Sequence, residues 1–98
     1  MKLVVKFHPA ASEEFKEASA WYESKRSGLA LDFMAEIDHC VTLASENPLQ
    51  FSLVHENIRR VIANRFPYNV YFIAEKSRIV VLAVFHTSRD PAIWLART

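Results

Sequence analysis

Seven apolar residues follow one another without a break between Arg78 and His86: Ile79, Val80, Val81, Leu82, Ala83, Val84 and Phe85. Such a run reads as a strand with no polar side to offer water, so it belongs in the middle of a sheet with both faces covered. At 98 residues the chain can build one core but not two, and every other element has to be arranged about this strand. Lys76-Ser77 is a hairpin turn leading back to a strand over Tyr68 to Glu75. Before that, Asn64 to Pro67 reads as a turn or bulge and Ile58 to Ala63 as a further strand. Far away in sequence, Lys2 to Phe7 alternates, with Leu3, Val5 and Phe7 on one side and Lys2, Val4 and Lys6 on the other, the period of a half-buried strand.

The residues between are helical in pattern. Pro9 suits a first helical turn, where its missing N–H costs nothing, and Glu13 and Glu14 are expected near the positive end of the dipole. Ala11, Phe15, Ala18 and Tyr22 then share one face. Lys25 and Arg26 fit the last turn, and Gly28 supplies a left-handed stop. A second helix is expected from about Leu29 to Glu46, with Ala30, Phe33, Met34, Ile37, Cys40, Val41 and Ala44 as its apolar stripe and Asn47-Pro48 as its end. The short link makes the pair an antiparallel hairpin. Leu49 to Asn57 reads as a connection. The predicted fold is α+β, in the order β-α-α-β-β-β, a helical hairpin on a small, mainly antiparallel sheet forming a single domain over residues 1–98.

Composition narrows the class. With 51% apolar residues and one glycine the chain argues against disorder. A lone cysteine, Cys40, suits a reducing compartment. MKLVVKFHP has too brief an apolar run for a secretory signal or a membrane span, so the expected location is the cytoplasm, with no membrane contact. Residues 1–55 carry five Lys/Arg against eight Asp/Glu, a net of −3, and residues 56–98 seven against three, a net of +4. That asymmetry fits either a face prepared for an anionic partner or ordinary surface variation.

Arg59, Arg60, Arg65, His86 and Arg89 lie in or beside strands and could converge although up to 30 positions apart. Neighbours on a strand point to opposite faces, so Arg59 and Arg60 cannot form one patch. Arg65 and Arg89 could hold a phosphate or an acidic partner bidentately, or Arg89 could simply pair with Asp90 or Glu56. His86 reads as a general acid or base, or as a strand-end histidine tied to a backbone group or to Asp90. Phe72 and Tyr68 read as core. Trp21 lies off the main stripe of the first helix and is expected to be partly exposed. Trp94 lies in a tail after Pro91 that either packs on the sheet or awaits a partner. The four histidines are scattered and Cys40 sits on an apolar stripe, so neither a metal site nor a cofactor is expected.

Several local motifs then fall in a familiar order: Phe7-His8-Pro9-Ala10-Ala11, Ala20-Trp21-Tyr22-Glu23, Arg26-Ser27-Gly28-Leu29, Glu46-Asn47-Pro48, Arg59-Arg60, Arg65-Phe66-Pro67-Tyr68, and Val84-Phe85-His86 through Arg89-Asp90-Pro91. With the order of elements, they resemble the RelE/ParE superfamily of toxins from type II toxin–antitoxin pairs, on the ParE-like side, over nearly the whole chain. The resemblance implies a toxin held inactive by a cognate antitoxin, reaching DNA only indirectly through it. RelE-like members cleave mRNA in the ribosome, whereas ParE-like members are associated with inhibition of DNA gyrase. Cleavage by 2′-OH attack needs a base, an acid and cations for the phosphorane charge. His86, Arg65 and Arg89 are the candidates here, but Asn69 stands where RelE-like toxins commonly carry a strand arginine. The expectation is a protein-contact toxin with gyrase as target, and the alternative a ribosome-dependent endoribonuclease. Arg59, Arg60, Arg65, Trp21, Arg89 and Trp94 are the expected contacts with antitoxin or target.

Overall fold

In the computed structural model, which describes residues 2–98, β1 (Val4–Phe7) leads into α1 (Pro9–Lys25) and α2 (Leu29–Glu46). A 3-10 turn over Pro48–Gln50 follows, then β2 (Leu53–His55), β3 (Ile58–Ile62), β4 (Tyr68–Ala74), β5 (Arg78–His86) and a short α3 (Ala92–Leu95). The sheet order is β1-β5-β4-β3-β2. β1 runs parallel to β5 and every other pair is antiparallel. The apolar strand β5 is therefore an interior strand, bordered by β4 on one edge and by β1 over Arg78–Val81 on the other.

Local chemistry explains the helix boundaries. His8 is the N-cap of α1, its Nδ1 accepting the Ala10 N–H at 3.1 Å, with Pro9 next in line. Glu13 and Glu14 lie beyond the first turn, so the expected dipole role is not theirs. Gly28 (φ 87°) makes the left-handed link to α2. There Glu23 of α1 supplies the anion: both its carboxylate oxygens accept the Gly28 N–H at 3.1 Å, and Oε1 also accepts the Ala30 N–H at 3.2 Å. α2 buries Phe33, Ile37, Cys40, Val41 and Ala44 as its pattern predicts. Met34, expected in that stripe, lies on its rim and is 39% exposed.

Two apolar layers enclose the sheet. On one face the helices pack over Val61, Val70, Phe72, Ile79, Val81 and Val84. On the other, Ile58, Tyr71, Leu82, Ala83 and Phe85 form a second cluster closed by Trp94 of α3. The β4–β5 register slips between Tyr71↔Ala83 and Phe72↔Val81, leaving Leu82 as the extra residue. This bulge places two consecutive side chains, Leu82 and Ala83, in the second cluster.

The segment Leu49 to Asn57 is more than the connection expected, because it contains β2, paired with β3 across the two-residue turn Glu56-Asn57. Three residues with Leu53 54% exposed carry too little apolar period to register as a strand. The turn also lacks the Asn-Gly or Asp-Gly signature of a tight hairpin, although Glu56 does adopt φ 49°.

Candidate functional site

At the open end of β4 and β5 the register pairs Tyr68 with His86, and α1 passes over this end with Trp21 and Tyr22. Between them lies a cleft of about 440 Å³, lined also by Pro67, Ser88 and Arg89. An adjoining cleft of about 210 Å³ shares Trp21, Tyr68, His86 and Arg89 and is bounded on its far side by Glu14 and Glu17. Tyr68 and Tyr22 belong to an aromatic cluster with Phe33 and Phe66, with ring centroids 5.0–6.1 Å apart. Burial pushes both tyrosine hydroxyls above their ordinary pKa. The cleft floor is therefore rigid and the hydroxyls stay protonated at neutral pH.

His86 stands edge-on to Tyr68 at 5.2 Å. Its Nδ1 accepts the Ser88 N–H at 3.0 Å and lies 2.8 Å from Ser88 Oγ. The histidine is thus tied to a backbone group, one of the two expected arrangements, but through Ser88 and not Asp90. Asp90 instead accepts the Ala92 N–H at 3.0 Å at the start of α3. A bound Nδ1 leaves Nε2 to carry the proton in the neutral ring, so His86 meets the cleft as a donor.

Glu14 organises the charges. Its Oε1 accepts from Arg97 Nη1 at 2.9 Å and from the Val84 N–H at 3.1 Å, and its Oε2 accepts from Arg97 Nη2 at 2.7 Å. Arg97 Nη1 also donates to the Leu82 carbonyl at 2.9 Å. β1 ends at Phe7, opposite Val81, so the edge of β5 beyond it has no strand partner. This buried ion pair fills that edge with a side-chain acceptor and a side-chain donor. Arg89 lies 3.5 Å from the same carboxylate and 4.5 Å over the Phe85 ring. Its partner is Glu14, and neither Asp90 nor Glu56.

The other expected arginines are held elsewhere. Arg65 adopts φ 72° and pairs with Asp32 of α2 at 3.8 Å, outside both clefts. Arg59 lies on the helix side and donates to the Phe51 carbonyl at 2.6 Å. Arg60, opposite Tyr71 in the register, takes the other face. Asn69 is buried on the face away from the cleft, its Nδ2 donating to Tyr71 Oη at 3.2 Å. Trp21 is 55% exposed, as expected of its place off the stripe. Trp94 corrects the expectation of a partner contact: it is only 4% exposed and stacks on Tyr71 at 4.1 Å, so it holds the tail to the sheet. Sequence reasoning gave no role to Glu17, Ser88 and Arg97 and read Glu14 only as an anion near the start of α1. Glu14 carried a signal, being a carboxylate three residues from Ala11 and four from Ala18 on the buried stripe.

Among the described residues no helix is long and apolar enough to cross a membrane. Nor do three His, Cys, Asp or Glu side chains gather as a metal site among them. The sequence matches the family model described as "ParE toxin of type II toxin-antitoxin system, parDE" over residues 5–91. No curated protein matches it. The fold is similar to a solved structure described as "Chromosomal ParDE TA system from P. aeruginosa", with a TM-score of 0.74 and 16% identity, covering 89% of this chain and 98% of that one. The match spans β1 to the start of the C-terminal tail, and on it the chain belongs to the ParE toxin family of type II toxin–antitoxin systems.

Proposed function

We propose that the protein is a toxin neutralised by a cognate antitoxin and that it acts by protein contact, with DNA gyrase as its target. The observation that carries this reading is the dispersal of the cations. Arg65 is drawn to Asp32, Arg59 to a main-chain carbonyl and Arg97 to Glu14, which leaves Arg89 alone of these four at the cleft. A phosphorane needs unspent positive charge gathered on one point, and one arginine 3.5 Å from a carboxylate does not gather it. The antitoxin reading is supported by family membership and by the similar ParDE assembly. The basic C-terminal half would meet acidic antitoxin residues.

Gyrase supercoiling with the purified chain tests the target. The expected result is inhibition that an equimolar antitoxin relieves, and full supercoiling at large toxin excess would remove gyrase from the reading. New ribosome-associated mRNA 5′ ends on induction would instead favour the endoribonuclease, which would have to use His86 and Arg89 across the cleft.

A further inference from the structure

Trp21 is a large aromatic side chain that the core does not need. It is nevertheless held in place, with its ring centroid 5.1 Å from that of Tyr22 at an interplanar angle of 82° and Lys25 Nζ 4.9 Å from its centroid. Tyr68 and His86 line the same cleft, so aromatic rings from α1 and from the end of the sheet border a space of about 440 Å³. That volume lies within the usual range for a small ligand group. Beside the hydroxyls of Ser88, Tyr22 and Tyr68, the polar lining holds two groups that offer donors: His86 through Nε2–H, and Arg89, whose side chain is 46% exposed. Arg89 retains donor capacity because Glu14 is engaged mainly by Arg97 at 2.7 Å, against 3.5 Å for Arg89.

We propose that this cleft seats one aromatic side chain of a protein partner, with a carboxylate beside it received by Arg89 and His86. The inference deepens the protein-contact reading and rests on it. Charge complementarity selects the occupant. The inner cleft favours a planar apolar group and the rim favours a single anion. The continuation of the groove carries Glu14 and Glu17. A nucleotide chain leaving the cleft that way would bring its next phosphate against the carboxylate of Glu17, Glu14 being compensated by Arg97, whereas an isolated Asp, Glu or terminal carboxylate does not extend so far.

The test is an NMR titration of the 15N-labelled full chain with N-acetyltryptophan, N-acetyltryptophanamide and uridine monophosphate. N-acetyltryptophan is expected to give saturable shifts at the Trp21 indole N–H and around His86 to Arg89. The amide should bind about threefold more weakly, the scale of one exposed ion pair, and the nucleotide more weakly still. Both Trp21 and Arg89 are exposed, so their variants keep the fold, which unchanged shifts in the α2 core would verify. Trp21→Ala should abolish binding of both tryptophan probes, and Arg89→Gln should erase only the difference between them. Absence of saturable shifts, equal affinity for acid and amide, or tighter binding of the nucleotide would each overturn the proposal. These readouts are independent of supercoiling, so failure to inhibit gyrase would strike the target and leave the cleft's preference standing.

Discussion

Cys40 is 2% exposed on the buried stripe of α2, with Glu36 Oε2 3.7 Å from its Sγ. Burial, then the neighbouring carboxylate, push its thiol from 9.0 up to about 12. The sign of the linkage follows. Below 9.0 the thiol is protonated in both states and its contribution to stability is intact, but as pH climbs towards 12 the unfolded chain ionises first and stability falls. Denaturant unfolding of wild type and Cys40→Ala at pH 8 and pH 10 should therefore show wild type losing about 1.4 kcal/mol more over that interval. Parallel losses would show that the thiol titrates normally in the fold. At this scale much was legible: Cys40 on its stripe, Phe72 in the core and Trp21 at the surface follow from period alone. The partners of His86 and Arg89 did not, because Ser88 and Glu14 owe their positions to a turn and to a helix 70 or more residues away in the chain.

α3 spans only Ala92–Leu95, too short to be stable by itself. It exists because Trp94 stacks on Tyr71 and completes the second apolar cluster. Trp94→Ala should cost about 3 kcal/mol and release the tail, read as a lowered urea midpoint with loss of near-ultraviolet circular dichroism. An unchanged midpoint would mean the tail contributes nothing to the fold. β2 is the companion case at the other edge, a three-residue strand recruited by its pairing with β3. The long elements declared themselves by periodicity. Neither short element could, since both owe their conformation to the surface they lie on.

The buried Glu14–Arg97 pair ties α1, the unpaired edge of β5 and the C-terminal tail together. Glu14→Gln removes the charge but keeps the shape, leaving Arg97, with 12% side-chain exposure, without its counter-ion. The expected destabilisation is about 3–5 kcal/mol, measured by thermal unfolding. Conversely, a variant as stable as wild type would show that water replaces the carboxylate without loss. The sequence by itself determined the interior place of β5, the helical hairpin and the family, since each rests on the period of apolar residues or on motifs contiguous in the chain. Only the tertiary structure decided what the polar residues do. Four arginines and a histidine in or beside strands are compatible with one catalytic patch or with none. Sequence spacing carries no distance between β5, α1 and the tail, and in the fold the acceptors within reach, Asp32 for Arg65, the Phe51 carbonyl for Arg59 and Glu14 for Arg97 and Arg89, decide.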